Sequence, residues 1–220
     1  MFKNLHNPDS STSWLWNPAV LVWDHSANTI VEQNVFINCD RAIAFGLQVP
    51  SSGTTDHSGG TIRNNFVYMQ PGFLSSSRTA SSDGQILVWD SPSSLVYNNT
   101  IITNGSITDS IQFRFVTTGA EAKNNLTDSP IATRDGGTYA QSNNYLSATP
   151  GMFVNPTNAD LHLVSNTATN AYVISHGATL SSVTNDIDDD TRPSGAGYEI
   201  GADECVAGAL PAAPTGLRLQ

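Results

Sequence analysis

The sequence predicts an all-β solenoid, and three observations carry that prediction. First, one phrase recurs, in which a turn ending in asparagine joins two β-rich runs: NTIVEQNVFIN (28–38), GTIRNNFVYM (60–69), SLVYNNTIIT (94–103), AEAKNNLTD (120–128) and AQSNNYLS (140–147). Second, the asparagine that closes each turn, Asn34, Asn65, Asn99, Asn125 and Asn144, recurs at intervals of 31, 34, 26 and 19 residues. Helical repeats do not tolerate that variation, whereas stacked β coils keep short strands of fixed length and absorb insertions in their turns. Third, a strand-like run precedes each phrase: AVLVWD (19–24), AIAFGL (42–47), QILVWD (85–90), SIQFRF (110–115) and PIATRD (130–135).

The first strand of each coil has its buried face written in alternation. Its second and fourth positions read Val20 and Val22, Ile43 and Phe45, Ile86 and Val88, Ile111 and Phe113, Ile131 and Thr133. These side chains are expected to point inward and stack coil on coil. The asparagine follows from the corner that comes next: a tight turn needs a residue that tolerates left-handed backbone and satisfies local polar groups with its amide. Stacked corners also let each amide bond the next, as in cross-β ladders. The alternative is that asparagine is merely common in loops, and the fixed offset from the strands argues against it.

Charge excludes some partners. Nine basic residues stand against 19 acidic ones, for a net charge of −10. Nucleic acid is a poor partner for such a chain, because few cations are present to displace phosphate counterions. No apolar run reaches the length of a membrane helix, and MFKNLHNPDS lacks the apolar core of a signal peptide. The signatures G-x-S-x-G, P-loop and H-E-x-x-H are absent.

The repeated G/S-x-I-x-x-N-x-F/I phrases resemble the right-handed parallel β-helix proteins of the pectate-lyase-like superfamily, over roughly residues 14 to 205. The closing segment DIDDDTRPSGAGYEIGADE (186–204) is similar to the ending D-x-D-x-x-x-R-P-x-G-x-x-x-x-x-G-A-x-E that follows many such helices in secreted bacterial proteins. The stretch TATNAYVISHGA (167–178) departs from the more regular run that related chains carry there. The expected architecture is a right-handed parallel β-helix of about five to six coils over residues 1–150, with final strands and an irregular acidic cap over 151–205. Residues 206–220, ending PAAPTGLRLQ, resemble a Pro-rich linker entering the first strand of a fibronectin type III domain. SWLWNPAV (13–20) reads as strand material with no polar cap ahead of it. The expectation is therefore an extracellular piece of a longer modular chain, whose export signal and first coils lie elsewhere. Cys39 and Cys205 could form a disulfide or remain free.

If positions two and four face inward, positions three and five face outward. Position five reads Trp23, Gly46, Trp89, Arg114 and Arg134, beside Leu21, Ala44, Leu87, Gln112 and Ala132 at position three. Flat aromatic rings suit sugar faces, and arginine holds carboxylates or sulfates bidentately. Two long insertions, QVPSSGTTDHSGG (48–60) and QPGFLSSSRTASSD (70–83), flank Gly46, and long loops on rigid scaffolds concentrate binding residues. Trp23 and Trp89 are thus candidates for the two sides of a polysaccharide groove, with His57 and Arg78 contributed by the loops. The competing reading is that these loops cover the tryptophans.

Position six supplies Asp24, Asp90 and Asp135. Two rungs separate Asp24 from Asp90, about 9 to 10 Å at ordinary strand spacing, near the upper limit for inverting glycosidase carboxylates. An Asp at a strand end also commonly caps a turn. A lyase instead needs a base and a cation for the uronate carboxylate, for which Arg114, Arg134 and His25 are available. The resemblance implies basic residues and calcium-binding acids on this face, although no lysine lies on the stripe. In the cap, Asp186, Asp188 and Asp190 are candidate calcium ligands, since clustered carboxylates are hard oxygen donors; their spacing does not fit an EF-hand. Pairing with Arg192 and plain solvated charge are the other readings of this cluster.

Overall fold

The computed structural model describes residues 1–9, 11–49 and 53–205. The fibronectin type III-like segment expected over 206–220 lies outside the described residues. The described residues are mostly β, with two short α-helices and two 3-10 turns, and most of their strands stack in three five-stranded parallel sheets. Sheet I holds Val20–Val22, Ile43–Phe45, Gly84–Trp89, Asp109–Arg114 and Ile131–Arg134. Sheet II holds Ile30–Glu32, Thr61–Arg63, Leu95–Tyr97, Glu121–Lys123 and Ala140–Ser142. Sheet III holds Phe2–Lys3, Val35–Ile37, Phe66–Tyr68, Thr100–Ile102 and Leu126–Thr127. From Val20 onward the chain visits sheets I, II and III in fixed rotation.

The alternation sets the register. Ile43 pairs with Val20 and Ile86, and Ile111 pairs with Ile86 and Ile131, so the inward rows align without slip. Ile43, Phe45, Ile86, Val88, Ile111 and Phe113 are fully buried with Ile62 and Val96 of sheet II and Phe36, Val67 and Ile101 of sheet III. Each such side chain contributes about 1.5–3 kcal/mol by leaving water. Stacked aromatic pairs bound the column, with Phe2 on Phe36 at 4.9 Å and Phe113 on Tyr139 at 4.5 Å.

At the corner between sheets II and III the two expected asparagine tasks fall to two adjacent residues. The first, Gln33, Asn64, Asn98, Asn124 or Asn143, takes the left-handed conformation, with φ between 49° and 57°. The second forms the ladder. Asn34 Nδ2 donates to Asn65 Oδ1 (3.3 Å), Asn65 to Asn99 (2.9 Å), Asn99 to Asn125 (3.0 Å) and Asn125 to Asn144 (3.0 Å). The backbone N–H of each of the four also donates to the same oxygen.

The segment expected as a terminal cap lies along the side of the stack. After an antiparallel pair, Phe153–Asn155 with Asp160–Leu163, the chain forms a short helix at Thr167–Tyr172 whose Asn166 cap accepts the Ala168 and Thr169 N–H groups. It then runs past every rung of the II–III corner. Asn143, Asn124, Asn98, Asn64 and Gln33 donate side-chain hydrogen bonds to the carbonyls of His176, Ala178, Glu199, Asn185 and Asp186. Beneath these bonds, Phe66, Tyr68, Ile102 and Leu126 on the outside of sheet III pack with Met152, Phe153, Leu161, Leu163, Val173 and Ile200. Gly201 (φ +108°) lets the backbone close on sheet III, where a Cβ would meet Thr100 Oγ1 at 2.8 Å. The segment is locked by a buried ion pair, Arg192 Nη1 to Glu204 Oε1 at 2.5 Å. Both thiols are free, Cys39 within the inner core and Cys205 against the outer one, so no disulfide joins them.

Candidate functional site

The outer face of sheet I carries Arg114 and Arg134, and two of its strands, Gly84–Trp89 and Asp109–Arg114, are six residues long. The expected outward rows are present: Trp89 pairs with Arg114 and Arg114 with Arg134. They do not leave an open tryptophan stripe. Trp89 is only 5% exposed. The Arg114 guanidinium sits 4.8 Å from its ring and 4.3 Å from Phe115, and Arg134 lies 5.5 Å from the Trp89 ring. Ala44 and Leu87 are buried beside it with Leu21 and Leu47 packed around them.

An ionic lattice lies over this aromatic base. Arg114 Nε is 2.5 Å from Asp135 Oδ2, and Arg134 reaches Asp83 Oδ1 at 3.0 Å and Asp135 at 3.6 Å. Asp83 also holds Arg41. Asp109 opens the fourth strand, where its carboxylate accepts from Gln112 Nε2 at 3.1 Å. Burial pushes the Asp109 carboxyl above its usual range; nearby Asp83 adds to the rise, while Gln112 and Arg134 oppose it. Trp89 Nε1, Gln112 Oε1 and Arg41 Nε are buried without a hydrogen-bond partner among the described residues. The arrangement can hold a carboxylate with guanidinium groups, beside a carboxyl that burial makes a weaker acid than an ordinary aspartate.

Asp83, Asp109 and Arg41 were not singled out by the sequence pattern, which gave Gln112 only as an outward residue of the strand. The available signal was an Asp just ahead of two of the strand motifs, in SDGQILVWD and TDSIQFRF, where the strands run longer than their neighbours.

The remaining candidates lie elsewhere. Trp23 is 45% exposed on the first coil, but it does not flank a groove with Trp89. Gly46 between them turns its corner one residue early at φ +72°, and a Cβ there would lie 1.9 Å from the Trp89 carbonyl oxygen. Asp24 and Asp90 do not face each other across a substrate. Both are left-handed corner residues, with φ of 58° and 50°. Asp56 stands between them, accepting the Asp24 N–H at 2.9 Å, while Asp90 accepts the Asp56 N–H at 3.0 Å. Burial raises the pKa of Asp90, consistent with a carboxylate used inside a corner. His25 is exposed, with Nδ1 3.1 Å from the Thr55 carbonyl. His57 is fully buried against Phe45, with Nδ1 2.7 Å from Ser91 Oγ, and burial lowers its pKa to about 4. Arg78, in the helix Ser76–Ala80 of the second insertion, is buried in an ion pair with Asp40.

The acidic trio also separates by task. Asp186 spends its oxygens on the N–H groups of Asp188, Asp190 and Glu204, whereas Asp188 pairs with His162. On sheet I, Asp83 and Asp135 are each bound to two arginines, so this donor set does not fit the calcium that the family resemblance implies.

No protein-family model matches the chain, and no curated protein or solved structure matches it at a significant level. The described residues contain no helix long and apolar enough to cross a membrane.

Proposed function

We propose that this chain is a right-handed parallel β-helix of the pectate-lyase-like kind, acting outside the cell on acidic polysaccharide through the outer face of sheet I. The observation that carries the reading is the pair of guanidinium groups, Arg114 and Arg134, laid over Trp89 beside the Asp109 carboxyl. In this reading a uronate carboxylate exchanges with Asp135 and Asp83 for the two arginines. Asp109, which keeps its proton to higher pH than an ordinary aspartate, then donates it to the departing glycosidic oxygen while a water bonds to the anomeric carbon and gives its proton to the carboxylate of Asp83 or Asp135 released from the arginines. Asp24, Asp90, His25 and His57 have no part in this chemistry.

A second reading, a noncatalytic glycan-binding or spacing module, is favoured by a different observation. Arg41, Arg63, Arg78, Arg114, Lys123, Arg134 and Arg192 are each already paired with a carboxylate, which leaves sheet I no free basic group to abstract a proton.

The test is a panel of acidic and neutral polysaccharides, assayed for binding, for new reducing ends and for unsaturated products, with calcium and with chelator. Turnover that is lost in Asp109→Asn and is insensitive to chelator supports the enzyme. Binding without turnover establishes the second reading, and absence of both removes polysaccharide as the ligand.

A further inference from the structure

We infer that His162, Asp188 and Asp203 form a binding site for a divalent transition-metal ion, zinc in the first instance, on the side of the molecule away from sheet I. The three residues come from separate parts of the C-terminal segment, and one ligand atom from each lies within 4.8 Å of the other two. His162 belongs to the strand Asp160–Leu163 and is 1% exposed. Its ring packs edge-on against Phe66 at 5.1 Å, which fixes its plane. Nδ1 is held by Asp160 Oδ1 at 2.5 Å, and Nε2 is directed at Asp188 Oδ2 at 2.6 Å. This is the arrangement of a metal-binding histidine, in which a carboxylate on one nitrogen orients the ring and raises the basicity of the other.

Asp203 supplies a separate observation. It is 6% exposed, and one carboxylate oxygen accepts the Leu163 N–H at 2.7 Å. This buried carboxylate also has an oxygen within 4.8 Å of the ligand atoms of His162 and Asp188, so a cation among the three would be held by ligands the fold has already brought together.

One imidazole and two carboxylates suit zinc, with water as the fourth ligand, better than calcium, which takes six to eight oxygens. Binding replaces the proton on Nε2. It also opens the Nε2 to Asp188 contact toward about 3.4 Å, the separation of neighbouring tetrahedral ligands at bonds of about 2.1 Å. The ion would tie the Asp188 turn to the strand that covers sheet III.

The experiment is calorimetric titration of chelator-treated protein with zinc chloride, and in parallel the visible absorption of cobalt(II) added in its place. The expected result is one zinc per chain, a cobalt spectrum of tetrahedral intensity, and at least a hundredfold loss of affinity in both His162→Gln and Asp203→Asn. Asp203→Asn keeps an acceptor for the Leu163 N–H, so it tests ligation with the fold retained. Asp160→Asn, which keeps an acceptor for the His162 N–H and removes the charge from the orienting bond, should weaken binding roughly 10–100-fold. His176→Gln, at an exposed histidine, should change nothing. Absence of stoichiometric zinc binding, or affinity unchanged in both ligand variants, overturns the site and leaves His162 as an imidazolium paired with two carboxylates. Sugar binding enters none of these readouts, so this result stands apart from the polysaccharide test.

Discussion

The outer faces of sheets III and I are both covered, but by opposite chemistry. Sheet III is sealed by an apolar layer in which Phe66, Ile102 and Leu126 meet Phe153, Leu161 and Ile200, with hydrogen bonds from the corner amides along its margin. Sheet I is covered by arginines and carboxylates laid over Trp89, with Arg134 still 41% exposed. Apolar burial has no equivalent partner in solution, so the first cover is structural. Ion pairs at a half-exposed surface can be exchanged for a ligand carboxylate at little cost, so the second can serve recognition.

The sharpest way to break this contrast is at the lock of the sheet III cover. Glu204 accepts from Arg192 at 2.5 Å, from the Glu199 N–H and from the Ser194 N–H. Glu204→Gln removes the carboxylate paired directly with the buried Arg192 guanidinium, leaving the more distant charges of Asp186 and Glu199. The expected loss is about 3–5 kcal/mol, measured by denaturant unfolding. A loss below 1 kcal/mol would mean that the segment is not integral to the fold. Next in size is Asn99→Ala. This side chain donates to Ile62 O, Tyr97 O and Asn125 Oδ1 and accepts from Asn65, so removing it strands buried groups on three coils. About 2–3 kcal/mol is expected from the usual cost of such groups, and Asn34→Ala, at the end of the ladder, should cost less.

The contrast also explains what the sequence could reveal. The inward rows and the asparagine ladder were legible because every coil repeats the same physical demand at the same offset. Arg114 and Arg134 were legible as outward residues from alternation alone. The cover on sheet III was not, because Leu161, Val173 and Ile200 follow no shared period and their partners, such as Phe66, sit at positions an isolated coil would turn to water. Trp89 was misread for a related reason: alternation gives direction, while exposure depends on the arginines that lie over the ring. Asp24 and Asp90 matched a carboxylate spacing along the axis, but Asp56, from an insertion without repeat character, occupies the rung between them.

Acidity offers a smaller and reversible perturbation of the same cover. Burial pushes Glu199 up to about 8, helped by Glu204 and Asp203 and opposed by Arg192 and the Cys205 N–H. An unfolded glutamate loses its proton near 4.5, so between these values the folded chain binds more protons. Stability contributed by this group is therefore full below about pH 4.5 and falls as pH rises toward 8, by up to about 1.4 kcal/mol per pH unit. Melting temperatures recorded from pH 5 to 9 should decline, and Glu199→Gln should flatten that decline. An unchanged slope would remove Glu199 as its source.

Sheet I should behave in the reverse sense. Arg134→Ala deletes two ion pairs and one contact with Trp89, yet exposed pairs of this kind are worth only about 0–1 kcal/mol each, so unfolding should move little. If the ionic cover is the part that exchanges, the same substitution should abolish binding of acidic polysaccharide at low salt while leaving the near-ultraviolet signal of the buried core intact. A large loss of stability with it would place sheet I in the same class as sheet III, as a face closed for the sake of the fold.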